Sequence, residues 1–537
     1  MKRVLQLSLV GALTLTMAAT AMAQEVPTQV TRIGNWVEIA NDVFLNIIAT
    51  TDWRYQFNEN TDFEKDIRDR VPSRQTVSTV PHNGTGDLLF QESRFGVDMR
   101  YRKNLTMQVL FESQLTIDGN RIDNGVDVFG DDPETQTFED GRNLACDTGG
   151  CDQRNTINLE RAWMNYQLPN TPLAIEVGAK LWTTDPAGVI GDDDPRFAVF
   201  LDLGAFQMEA AAVMQTESLR AGLTNDNDDV YYTFGASYDL KPVMVGLNLA
   251  YFRYRFSGSS GQATTGQEVD SVTIMPSVTG AVGPISFLVQ PMLVWGEARG
   301  GRDTTGARQK YDIFSYGFIG QVEANLGIVR PFLAVVFGSG DDDANDNDLE
   351  GFAGQPQREI TLTTGSRYFS VFDIAPSWGG RDTFPPAAVN LGSGFEFMHT
   401  VGNPWNDRIN PVDDLAANFT HANPGTLLLA PGVKIFPLKG HEVDVYYIYR
   451  RVMESDPLEE IVGVSVDESI SHEFGLLYTW APNPHFDFRV FGAIVLPTDG
   501  IEDIASVQDC DFDTAGVQSC DGEDIALYGQ VRFRARF

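Results

Sequence analysis

The last segment of the chain allows little choice of local structure: Ile525-Ala-Leu-Tyr-Gly-Gln-Val-Arg-Phe-Arg-Ala-Arg-Phe537 alternates strictly between two kinds of residue. Ile525, Leu527, Gly529, Val531, Phe533, Ala535 and Phe537 share one side, while Ala526, Tyr528, Gln530, Arg532, Arg534 and Arg536 share the other. A repeat of two residues is the geometry of a β-strand. One face is apolar and the other cationic, so the strand needs an apolar medium on one side and water on the other.

The opposite end specifies a destination. Met1-Lys2-Arg3 is a positive n-region, Val4 to Ala19 an apolar stretch, and Ala21-Met22-Ala23 an A-x-A cleavage motif, so residues 1–23 read as a secretory signal peptide and 24–537 as the mature chain. After Ala23 no apolar run reaches the roughly 20 residues a spanning helix needs, and the mean hydropathy is −0.18. A membrane barrel predicts both facts, because its lipid-facing and lumen-facing residues alternate and cancel within any averaging window.

Long alternating segments joined by very short turns recur along the chain. Leu89 to Arg102 meets Leu105 to Asp118 across Lys103-Asn104, and Thr156 to Leu168 meets Leu173 to Trp182 across Pro169 to Pro172. Val230 to Tyr238 with Val243 to Phe256, Ser271 to Val282 with Ile285 to Glu297, and Tyr311 to Asn325 with Ile328 to Phe337 repeat the unit. So do Thr426 to Phe436 with His441 to Arg450, and Ser469 to Trp480 with His485 to Leu496. Each pair turns where Gly, Pro or Asn permits it. A first strand at Val43 to Phe57, a weaker pair within Phe197 to Thr216 with Gly204-Ala-Phe206 as its candidate turn, and the closing strand bring the total to about 18. The expected fold is all-β: a transmembrane antiparallel barrel with short periplasmic turns and long extracellular loops. A propeller would show blade repeats of about 40–45 residues, and soluble strands run about 5–6 residues; neither pattern is present.

Charge and cysteine usage narrow the function classes. The formal net charge of −35 argues against a nucleic-acid partner. Its acidic runs, among them Asp192-Asp193-Asp194 and Asp341 to Asp348, read as solvated loops; shared divalent cations at a lipopolysaccharide surface are the sharper alternative. Asp341 to Asp348 lacks the glycine and twelfth-position glutamate of an EF-hand. Cys146 with Cys151, and Cys510 with Cys520, lie in polar Asp/Gly-rich stretches and read as small disulfide-closed loops in an exported chain. Zinc is the rival, but neither pair has a neighbouring histidine or C-x2-C spacing. No metal and no cofactor are expected. None of the six histidines sits in a hydrolase or metalloprotease frame, so the chain does not read as an enzyme. His472, on a strand, is the one position a lipid-facing catalytic pair would use.

About 18 strands enclose a lumen wide enough for water unless chain folds into it. With the last strand beside the first, Arg532, Arg534 and Arg536 neighbour Arg54, followed by Arg94, Arg100 and Arg102. A cationic wall of this kind favours anionic solutes; the alternative is a satisfied network with Asp52, Asp98, Glu112 or Asp118. The long stretch 339–425, with Trp378, Phe384-Pro385-Pro386 and Trp405, is expected to constrict the pore, to cover its mouth, or to stand in solvent.

Two resemblances sharpen these expectations. The terminal Phe537 resembles the assembly signal of bacterial outer-membrane barrels, which implies the barrel-assembly machinery as a partner and outer-membrane lipid and lipopolysaccharide as surroundings. Phe337-Gly-Ser-Gly-Asp-Asp-Asp-Ala-Asn-Asp-Asn-Asp348, Leu159-Glu-Arg-Ala-Trp-Met-Asn-Tyr166 followed by Leu173 to Lys180, and the terminal strand together resemble alginate-export-type and related outer-membrane porins. That resemblance implies an 18-stranded barrel with an arginine-rich conduit for anionic solutes or polysaccharide. The expected function is passive diffusion of small polar, anionic solutes through an outer-membrane channel. An export conduit for an anionic polysaccharide and a scaffold around a periplasmic electron-transfer partner are the alternatives. A homo-oligomer is compatible with the sequence.

Overall fold

The computed structural model describes residues 32–33, 36–40, 42–59, 86–118, 157–180, 182–183, 185–187, 191–192, 195–216, 229–256, 267–302, 308–343, 348–351, 425–456, 459, 464–505 and 525–536. The signal segment 1–23, all four cysteines, Phe537 and residues 352–424 of the long stretch lie outside them.

Eighteen antiparallel strands close into a cylinder. They are β1 (Val43–Glu59), β2 (Gly86–Tyr101), β3 (Leu105–Asp118), β4 (Ile157–Gln167), β5 (Leu173–Ala179) and β6 (Pro195–Asp202). Next come β7 (Phe206–Thr216), β8 (Asp229–Asp239), β9 (Val243–Phe256), β10 (Gln267–Val282), β11 (Ile285–Arg302) and β12 (Arg308–Ala324). The circuit ends with β13 (Val329–Gly338), β14 (Thr426–Ile435), β15 (His441–Arg451), β16 (Ser469–Asn483), β17 (Phe486–Pro497) and β18 (Ala526–Arg536). Pairing of Leu527 through Arg536 with Glu59 through Thr50 joins β18 to β1, so neither strand is left as a free edge.

Alternation sorts the side chains. Ile47, Phe95, Phe197, Val289, Leu333, Phe474, Ile494 and Val531 are exposed on the outside of the cylinder. Exposed aromatic residues mark both rims: Tyr101, Tyr166, Tyr238, Trp480 and Phe533 toward the short turns, and Tyr232, Tyr251, Trp295 and Phe314 toward the long connections. From Trp295 to Ile285 the outer face of β11 spans ten residues, or about 34 Å of strand and about 26 Å of height at a tilt near 40°, against the ~25 Å apolar band of a membrane barrel. An apolar outside of this height is stable against hydrocarbon, where every strand amide must be paired, as barrel closure achieves.

Smaller elements add to the wall. β18 covers β1 only as far as Thr50, and the strand Trp36–Ala40 takes over that edge at Val43 to Leu45. Asp348–Leu349 pairs in parallel with Asp312 and Ile313 of β12, beyond the end of β13. A short helix, α1 (Asp499–Ala505), packs against β16.

Most expected hairpins match the observed strands to within a few residues, and the structure settles Phe197 to Thr216. Gly204 adopts φ +84° in a tight turn, with Leu203 N donating to Phe206 O (2.9 Å) and Gly204 N to Asp202 Oδ1 (2.8 Å). Two expectations need correction. Arg102 does not extend β2; it lies in the β2–β3 turn with φ +52°. Trp182 does not extend β5, which ends at Ala179. The cause is local and tertiary together: Gly178 has φ +120°, and a Cβ there would lie 2.1 Å from the Ala162 carbonyl oxygen, so only glycine lets the chain turn off the wall beside β4.

Candidate functional site

The inner face is built from every second residue of each strand, and its charges fall into clusters. Asp487, Arg534 and Asp52 stand in one register row across β17, β18 and β1. Asp52 accepts from Arg534 (Nη2 to Oδ2, 2.8 Å) and forms a close bidentate pair with Arg532, while Asp487 contacts Arg536 (2.7 Å) and Arg489 (3.4 Å). Among the described side chains, four guanidiniums thus surround two carboxylates, an excess of positive charge within that cluster. Arg532 and Asp52 are nearly inaccessible, whereas the Arg536 side chain is 42% exposed, so the excess is presented to water chiefly there.

The other expected arginines differ in role. Arg94 is held by Glu112 (2.9 Å), and four residues further along β2 Asp98 accepts from Gln108 (2.8 Å). Arg100 stacks over Trp36 (5.1 Å) and Phe44 (5.4 Å), which ties the N-terminal strand to the barrel mouth at the short-turn end. Arg102 forms an exposed pair with Asp42 (3.3 Å) in the turn and is off the wall. Arg54 lies opposite Arg532 in register; its side chain is not among those described.

Residues not singled out in the sequence form a second cluster. Arg196 of β6 donates to Glu176 of β5 through Nε (3.0 Å) and Nη2 (2.6 Å), and to Glu209 of β7 through Nη1 (2.7 Å), while Lys180 closes on Glu176 (2.5 Å). A third lies on β15 and β16, where Gly475 leaves room for the ring of Tyr446, whose hydroxyl donates to buried Glu473 (3.2 Å). Alternation would have placed all of these inward, but inward positions alone do not reveal which pair across strands.

From β6 to β12 the wall is different. Ala198, Ala211, Thr233, Ala250, Thr273, Val294 and Ser315 form one register row across seven strands, all small or uncharged and all buried. An unobstructed bore of this width would leave such a row wet, so chain lies inside the cylinder at this level. Among the described residues, the connection between β5 and β6 does so. Trp182 is buried against the Arg196 guanidinium (5.5 Å), and Asp185 Oδ1 accepts from Gln290 Nε2 of β11 (2.6 Å). The sequence offered 339–425 as a constriction, a cover over the mouth or a solvent loop; most of that stretch lies outside the described residues. Within its described part, Asp341 is buried and accepts from the backbone N–H groups of Glu350 (3.2 Å) and Asp343 (3.4 Å).

His472 lies on the outer face, where its Nδ1 is 2.6 Å from the Tyr447 hydroxyl, and Ser471 points to the opposite face. Among the described residues no cluster of three or more His, Cys, Asp or Glu is arranged to hold a metal ion.

The sequence matches no protein-family model and no curated protein. Solved structures with a similar course include Acinetobacter baumannii OccAB2, at TM-score 0.45 and 10% identity, covering 92% of this chain and 98% of that one. A BenF-like porin from Pseudomonas fluorescens Pf-5 follows at TM-score 0.43 and 10% identity, covering 92% and 99%. Pseudomonas aeruginosa OccD3 (OpdP) has the same TM-score and identity, covering 91% of each chain.

Proposed function

We propose that the protein is a bacterial outer-membrane channel through which small polar solutes diffuse, with a preference for anions. The observation that carries this reading is the inner-wall patch of four arginines around two aspartates. Like-charge excess on a confined wall raises the local concentration of counter-ions and lowers the barrier to their passage. The apolar belt and the aromatic rims support a hydrocarbon environment, and the short turns are assigned to the periplasm. The inward connection between β5 and β6 supports a narrow, solute-selecting bore over a wide sieve. An export conduit for anionic polysaccharide, which the alginate-export-type resemblance implies, would use the same arginines but is poorly served by a bore crossed at Trp182 to Ala187.

Planar-bilayer recording of the purified protein tests the proposal. A reversal potential on the anion side in a potassium chloride gradient is expected. Cation preference that persists after the acidic loops are neutralised would overturn the anion claim, and absence of any conductance would overturn the channel itself.

A further inference from the structure

We infer that the β5–β6 connection is a strut braced at two points, with Arg196 and Gln290 as positioning residues that set the width of the bore; the claim about width rests on the channel reading above. Arg196 is 5% exposed and its guanidinium is occupied by Glu176 and Glu209 and covered by Trp182, so it is withdrawn from any passing solute. Its fixed plane serves as a platform for the indole. Gln290 is 0% exposed and spends its amide on the same connection. Its Nε2 donates to Asp185 Oδ1 (2.6 Å), with Met275 Sδ as a further contact (3.9 Å), and its Oε1 accepts from Ala187 N (3.3 Å).

The two braces stand on walls separated by four intervening strands, β7 to β10, yet Trp182 and Asp185 are three residues apart. Three residues of chain span at most about 10 Å. Side chains at each end therefore make up the rest of the crossing, and the aperture depends on whether both braces hold. The far brace is an amide–carboxylate pair whose polarity can be exchanged.

A polarity swap in the full-length protein tests this. Gln290→Glu sets two carboxylates against each other; Asp185→Asn preserves an acceptor; the double variant restores a donor and an acceptor with their positions reversed. Gln290→Glu is expected to speed amide hydrogen exchange in 182–187, raise single-channel conductance and admit larger polyethylene glycols. Asp185→Asn should stay close to the parent, and the double variant should return toward it in every readout. Unchanged exchange in Gln290→Glu, or no recovery in the double variant while heat-modifiable electrophoretic mobility shows a folded barrel, would overturn the strut. A parent protein that conducts nothing would defeat the channel reading alone, because hydrogen exchange still decides whether the braces hold.

Discussion

Two sectors of one inner wall solve the problem of a polar interior differently. Between β17 and β3 the wall is ionic: Asp52, Asp487 and Glu112 bind guanidiniums from adjacent strands, and the lining is held by pairs within the sheet. Between β6 and β12 it is uncharged along the row from Ala198 to Ser315, and the hydroxyls of Thr233, Thr273 and Ser315 have no hydrogen-bond partner among the described residues although they are buried. An unmade bond of this kind costs about 1–3 kcal/mol. The first sector secures its own geometry, whereas the second gives up bonding for volume and leaves room for chain to lie inside. Rigidity and accommodation are thus assigned to different sides of the cylinder.

Breaking the ionic sector should have the largest effect. Asp52→Ala leaves Arg532 and Arg534 without their shared carboxylate, and losing one partner of a buried pair costs about 3–5 kcal/mol. The folding midpoint in urea with detergent micelles should drop accordingly, and an unchanged midpoint would mean that this sector does not secure itself. Overfilling the other sector comes next. Ala250→Leu inserts a large side chain into a row where Ala250 is 1% exposed, at a cost of about 1–3 kcal/mol. Conductance should change with it; a variant with parental stability and conductance would show that the row is not packed.

Smaller effects sharpen the contrast. Arg534→Gln combined with Arg536→Gln removes two of the four guanidiniums while keeping Arg532 on Asp52. The reversal potential should move toward cations with the barrel intact. The smallest effect lies outside the wall, in the connection after β15. There the Val466 N–H and then the Ser465 and Ser455 hydroxyls hold Glu459 below the usual carboxylate range. A depressed value in the folded state means the stabilisation is complete above the ordinary carboxylate pKa and disappears as pH falls through the lowered one. Hydrogen-exchange protection at Val466 should fall only in that acid window; loss already at the ordinary value would remove the effect.

The strands were readable because a repeat of two residues is local and survives along 10 to 18 residues, as in β11 and β13. The Arg94–Glu112 pair was readable too, once the Lys103-Asn104 turn fixed the register of its hairpin. Trp182 was not. Its position continues the alternation of β5, and the departure depends on close approach between Gly178 and the backbone of β4, which only the folded sheet creates. Arg102 failed for a related reason, since its left-handed backbone is imposed by the turn. The Asp185–Gln290 contact joins residues 105 positions apart on elements that are not neighbours in the sheet. No periodicity carries that information.

The seam between β18 and β1 has a temporal side. Asp52 emerges early in synthesis, and Arg532, its counter-charge, 480 residues later. Contacts of such separation carry the greatest loop-closure cost and form late. Until β18 is made, the first edge from Thr50 to Glu59 stays unzipped, so sealing the cylinder waits on the far end of the circuit.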